Sequence, residues 1–181
     1  MTRALRRALL VGAAGVTLAG GASVAVASGT PTLTAGGPVT VTGTEASGVF
    51  TVADRTVRQV RYTDRGTLRY TFTLTNDGRL PVTVTGLAAQ QDDPRLFDLV
   101  GLTSARVDAG GSATVTLSLD MNGCESLSSR SGSFVGEVAV VTRQAGVFED
   151  VVTLALPEEI HTGSPREAFC PESTATSRPQ G

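Results

Sequence analysis

Arginine is the residue with the most conspicuous spacing. Arg55, Arg58, Arg61, Arg65 and Arg69 fall within fifteen residues, with Asp54 and Asp64 as their nearest acids and both tyrosines, Tyr62 and Tyr70, in the same stretch. Guanidinium forks suit phosphate and carboxylate groups. The five therefore form a candidate patch for an anionic ligand, set against the plainer reading of a solvated sheet face. Other chemistry is sparse. His161 is the one imidazole, and no G-x-S-x-G elbow surrounds a serine. The acid pairs Asp92-Asp93 and Glu158-Glu159 read as solvated loop carboxylates rather than a general acid–base couple. Asp120-Met121-Asn122-Gly123-Cys124-Glu125 places oxygen ligands at alternate positions but lacks the later glutamate of a calcium loop, so it reads as a turn. No catalytic residue, metal site or cofactor is assigned, and the expectation is a protein without enzymatic activity.

Cys124 and Cys170 are the two cysteines. A thiolate metal site normally needs four ligands, and the chain has no C-x-x-C pair to begin one. In an oxidising compartment a disulfide between them is the default. It would tie the C-terminal tail to the loop that holds Cys124.

The compartment follows from the N-terminus. Arg3, Arg6 and Arg7 precede an apolar stretch from Ala8 to Val26, which ends in Ala25-Val26-Ala27. That is the n-h-c pattern of a signal peptide, with cleavage expected between Ala27 and Ser28. Arg6-Arg7 also loosely resembles a twin-arginine signal, so the export route stays open. Cleavage would leave no integral membrane span and place the protein outside the cell or at its envelope. It would also remove three of the fifteen positive charges, leaving a net charge of −5. General nucleic-acid binding calls for a basic domain and is not expected.

These residues must be positioned by strands. The chain is rich in Gly, Thr and Val, has no Trp, and shows no sustained 3.6-residue periodicity. From Thr67 to Thr75, Leu68, Tyr70, Phe72 and Leu74 alternate with polar residues, which predicts a half-buried strand. Asn76-Asp77-Gly78 then predicts a tight reversal into Val82 to Thr85, and so a hairpin. Further strands are expected at Val39 to Thr42, Val57 to Tyr62, Ser112 to Leu119 (opened by Ala109-Gly110-Gly111), Gly136 to Thr142 and Val147 to Leu156. The last two should form a hairpin about Arg143 to Gly146. Leu96 and Phe97 are expected to plug one end of the core. About seven short strands separated by turns predict an all-β antiparallel sandwich of immunoglobulin-like type. The expected organisation is a signal peptide (1–27), a linker (28–37), the sandwich (38–157) and a tail (158–181) tied at Cys170.

The run Tyr70 to Gly78, then Pro81 to Thr85, a loop with Phe97, and Ala109 to Leu117 resembles bacterial immunoglobulin-like modules of the CARDB and ASPM–SPD-2–Hydin type. The resemblance spans roughly Thr67 to Leu156. It implies adhesion or assembly and supplies no catalytic residue; the cysteine pair and the tail lie outside it. All fifteen cationic side chains are Arg and none is Lys, as a GC-rich, actinobacterial-like coding sequence would give. The expected partner is an envelope polymer or another extracellular protein. The alternative is a secreted inhibitor of an extracellular enzyme such as a protease, with Met121 to Gly132 as its exposed loop.

Overall fold

A computed structural model describes residues 31–44, 47–89, 97–122 and 133–162. Ten strands make up the described chain: β1 (Leu33–Thr42), β2 (Ser47–Val52), β3 (Arg55–Val60), β4 (Thr67–Asn76), β5 (Val82–Leu87), β6 (Asp98–Leu102), β7 (Ala105–Val107), β8 (Ser112–Asp120), β9 (Phe134–Gln144) and β10 (Phe148–Thr162). Among the described residues no helix is long and apolar enough to cross a membrane. The strands build two facing sheets, one ordered β1-β4-β8-β6 and the other β2-β3-β10-β9-β5-β7.

The order β1-β4-β8-β6 facing β10-β9-β5 is the layout of a constant-type immunoglobulin sandwich. The chain departs from that scheme in two ways. It visits β6 in one sheet before β7 in the other, and it adds the β2–β3 hairpin. That hairpin joins the larger sheet through a parallel pairing of β3 with β10, so this sheet is mixed.

The alternating residues of β4 do what their spacing predicts. Leu68, Tyr70, Phe72 and Leu74 are fully buried and pack with Val84, Val138, Val140 and Leu154 of the facing sheet. Their polar neighbours pair on the outer face. Thr71 meets Thr116 at 2.9 Å, Thr75 meets Ser112 at 3.1 Å, and Thr67 donates to Asp120 at 2.7 Å. Phe97 is buried in the same core, with its ring 6.5 Å from that of Tyr62.

The β4–β5 hairpin does not form. β4 pairs with β1 and β8, whereas β5 lies in the opposite sheet beside β7 and β9. Alternation fixes which side of a strand is buried, and a strand in either sheet satisfies it. Asn76 decides the matter. It is fully buried, donates to the carbonyls of Leu80 (2.8 Å), Val107 (3.2 Å) and Asp108 (3.3 Å), and accepts from the Gly78 N–H at 3.0 Å. It therefore pins the passage between sheets to the β7–β8 turn. The β9–β10 hairpin does form, closed by the Val147 N–H on the Gln144 carbonyl at 3.1 Å.

The strands extend beyond the expected limits at both ends. β1 begins at Leu33, inside the stretch read as linker, and pairs with β4 from Asn76 back to Arg69. Its register shifts between Gly36 and Thr40, where Pro38 sits. Proline is tolerated there because β1 is an edge strand and the site is a bulge. Gly37, at φ +76°, lies so close to Thr73 that a Cβ would fall 2.8 Å from its hydroxyl. At the other end β10 continues to Thr162, five residues into the stretch read as tail.

Candidate functional site

The pairing of β10 with β9 is interrupted where Glu158 and Glu159 lie. Ala155 is in register with Glu137 of β9, and Ile160 with Val135, so four residues of β10 face one of β9. Such a bulge bends the strand and re-aims its side chains. Pro157 falls inside it and brings no N–H to be left unpaired. Past the bulge, Glu159 to Thr162 pair with β3 while Ile160 and His161 still pair with β9. Gly136 stands opposite, and Glu159 lies over it; a Cβ there would be 3.3 Å from the Glu159 Cγ.

The bulge sends the two glutamates to opposite faces. Glu158 shares its alternation with the buried Ile160 and turns toward the core side. Arg58 grips its carboxylate through Nε and through Nη2 at 3.1 Å, and the two side chains are only 13% and 14% exposed. Tyr70 reaches across from the facing sheet. Its hydroxyl donates to the Glu158 carbonyl (3.1 Å) and accepts from the Glu158 N–H (3.0 Å). Burial pushes the Tyr70 phenol well above its ordinary range, opposed by the hydrogen bond from Glu158.

Glu159 points outward. Arg55 Nη1 meets both its oxygens at 3.1 Å, and His161 Nε2 lies 3.0 Å from Oε2. The His161 ring stacks on Phe134 of β9 with centroids 5.4 Å apart and planes 26° apart. Phe134 itself is 62% exposed. Glu158 and Glu159 are thus strand residues bound to arginines, not loop carboxylates in water. His161 belongs to a strand rather than to a tail. Neither His161 nor Phe134 stands out in the sequence as part of a cluster, because the bulge that joins them leaves no local signal.

The structure divides the arginine cluster. Arg55 and Arg58 lie on β3 and are engaged by Glu159 and Glu158. Arg61 is half-buried just after β3, and its carbonyl accepts from Thr44. Arg65 sits in a turn at φ +56°, 3.7 Å from Asp64, with its N–H on the Met121 carbonyl. Arg69 is exposed on β4, in the other sheet, opposite Ser118. These residues do not share one face. Of the chain Met121 to Gly132, Met121 is buried and accepts from the Thr63 N–H, and Asn122 donates to Asp98 at 3.0 Å. Cys124 and Cys170, the cleavage site at Ala27 and Ser28, and Asp92-Asp93 lie outside the described residues. Among the described residues, no three His, Cys, Asp or Glu side chains converge to hold a metal ion.

One further surface has an unpartnered character. β2 is the end strand of the larger sheet, and Gly48 to Val52 are all exposed, including Val49, Phe50 and Val52. It carries no charged side chain along its length. No protein-family model matches the chain, and no curated protein matches it in sequence.

Proposed function

We propose that this protein is a secreted, non-enzymatic binding or assembly module of the cell envelope, and that it meets a protein partner along β2. The observation that carries this reading is the uncharged, apolar β2 edge. An edge strand presents unpaired N–H and C=O groups, and proteins that stay apart blunt such edges with charge, proline or a covering element. Of the other edge strands, β1 has its proline and its bulge, β6 has a register shift and β7 is only three residues long; β2 has no such device. Strand addition by an extended segment of a partner is the natural use of such an edge. A polyanion contact is less favoured, because carboxylates already neutralise Arg55 and Arg58.

The test is co-sedimentation of the exported chain with purified envelopes, intact and protease-shaved, at low and high salt. Binding should persist at high salt, vanish on shaving, and be lost in a Val49→Lys, Thr51→Lys double variant. Failure to sediment with any envelope overturns the reading. Binding that survives shaving but fades with salt returns the search to the arginines.

A second reading, inhibition of an extracellular enzyme, draws support from the β9–β10 hairpin tip. There Val147 is 76% exposed as the last of the three turn residues Ala145 to Val147. Titration of secreted proteases with the folded chain tests it, and no inhibition at micromolar excess removes it.

A further inference from the structure

We propose that a second copy of this chain adds to β2, the two strands pairing antiparallel about a two-fold axis at Val49. This pairing rests on the reading of β2 as the contact strand and gives that strand its partner in the free protein. β2 and β3 pair without a break from Ser47 opposite Val60 to Val52 opposite Arg55, and Ala53 and Asp54 form the turn between them, with Ala53 at φ +55°. A two-residue turn is flanked by a hydrogen-bonded pair, and such pairs alternate along the ladder. Val52, Phe50 and Gly48 therefore direct their backbone groups to β3, while Thr51, Val49 and Ser47 turn theirs out along the free edge.

Gly48 sets the register. It has no left-handed φ, and nothing lies within 4 Å of the position its Cβ would take. Its own fold does not call for glycine, which weakens a strand interior and often marks the close approach of another backbone. Gly36, Gly86 and Gly101 are open in the same way, but each stands at a register shift, and β2 has none. Phe50 shares the face of Gly48 and is 46% exposed. An aromatic ring set across from an edge glycine covers its bare backbone. One register meets this need in both copies at once: Val49 opposite the partner's Val49, with each Phe50 opposite the partner's Gly48. The outward backbone groups of Ser47, Val49 and Thr51 then meet those of the partner's Thr51, Val49 and Ser47. Gly48 and Phe50 fall at non-hydrogen-bonded pairs, where facing side chains come closest. β2 carries no charged side chain, and antiparallel pairing takes the two Asp54 side chains to opposite ends of the contact, so two copies of an acidic chain can approach there. The contact is closed, since the same strand serves both copies.

Light scattering and sedimentation of the folded chain over a concentration series test the pairing. The expected result is a monomer–dimer equilibrium in the micromolar range that salt barely shifts. Phe50→Ala and Gly48→Val, each present twice across the two-fold, should weaken the dimer about tenfold. Both positions are exposed, so the melting points of the dilute variants should not fall below that of the parent. On oxidation Val49→Cys should link two copies to a greater extent than the parent, because a facing hydrogen-bonded pair lies within disulfide reach, whereas Thr51→Cys should not. The proposal is overturned by a monomer at every concentration, by a dimer indifferent to both Phe50→Ala and Gly48→Val, or by linkage through Thr51→Cys in place of Val49→Cys. A monomer that still binds envelopes through β2 refutes this pairing and leaves the envelope contact standing. A dimer that binds no envelope does the reverse.

Discussion

At the residue scale, two side chains identical in type are worth different amounts because of where the β10 bulge sends their partners. Arg58 and Glu158 are a little-exposed pair, and removing one member leaves the other charge with poor solvation; Arg58→Ala should cost about 3 kcal/mol. Arg55 is 53% exposed, and its ion pair with Glu159 should contribute under about 1 kcal/mol. Urea unfolding of the two alanine variants measures the contrast, and equal losses would refute the assignment of faces. Tyr70 adds a pH dependence. Its phenol ionises above its ordinary range in the folded chain and near 10 in the unfolded chain. The unfolded state therefore sheds the proton first, and stability present below pH 10 drains away as pH rises past it. Tyr70→Phe should cost about 1–3 kcal/mol at neutral pH through the unpaired Glu158 backbone groups. The gap to the parent should narrow above pH 10. A gap that stays constant to pH 12 would mean Tyr70 titrates normally.

At the element scale, the β9–β10 hairpin shows both what the sequence makes legible and what it hides. The turn residues Ala145 and Gly146 both have positive φ, 50° and 76°, as a type I′ turn requires. An L-residue with a Cβ is strained there, so Ala145→Gly should raise stability by about 0.5–1 kcal/mol, read as a melting point a few degrees higher. No gain would show that the turn relaxes in solution. This hairpin is readable because its strands are long, valine-rich and joined by a short turn, Ala145 to Val147. The β4–β5 connection reads as equally clear and crosses between sheets instead, since Asn76 bonds to the distant carbonyls of Val107 and Asp108 as well as to that of nearby Leu80, and no local pattern encodes the distant pair. β2, β6 and β7 escape a periodicity argument for separate reasons. β2 is exposed along its described side chains and so has no buried alternation; β6 has a register shift at Gly101; β7 is three residues long. The bulge that assembles Arg55, Glu159, His161 and Phe134 depends on β3 pairing with β10 about a hundred residues away. The arginine spacing drew attention to the right strand, while the partners that define its chemistry lay in a segment read as tail.

At the scale of the whole molecule, the parallel β3–β10 pairing is the weak joint. It spans only Val57 to Val60 against Glu159 to Thr162, and it holds the whole β2–β3 hairpin on the sheet. The last strand residue, Thr162, is fastened to Ser133 by reciprocal bonds: its N–H donates to the Ser133 carbonyl (3.0 Å), and its hydroxyl accepts from the Ser133 N–H (2.8 Å). The chain runs on from Thr162 to Cys170, and Ser133 closes the connection that contains Cys124. A Cys124–Cys170 bridge would therefore tether both sides of this fastening and guard the joint against fraying. Loop-closure entropy makes such a bridge worth roughly 4 kcal/mol. If the bridge forms, reduction of the protein should lower its melting point. Amide hydrogens of Glu159 to Thr162 and of β3 should lose protection from exchange before those of β4 and β8, whose pairing does not depend on the joint. Two titratable thiols in the unreduced protein would remove the bridge from the argument, and uniform loss of protection across both sheets on reduction would show that the joint is no weaker than the rest of the sandwich.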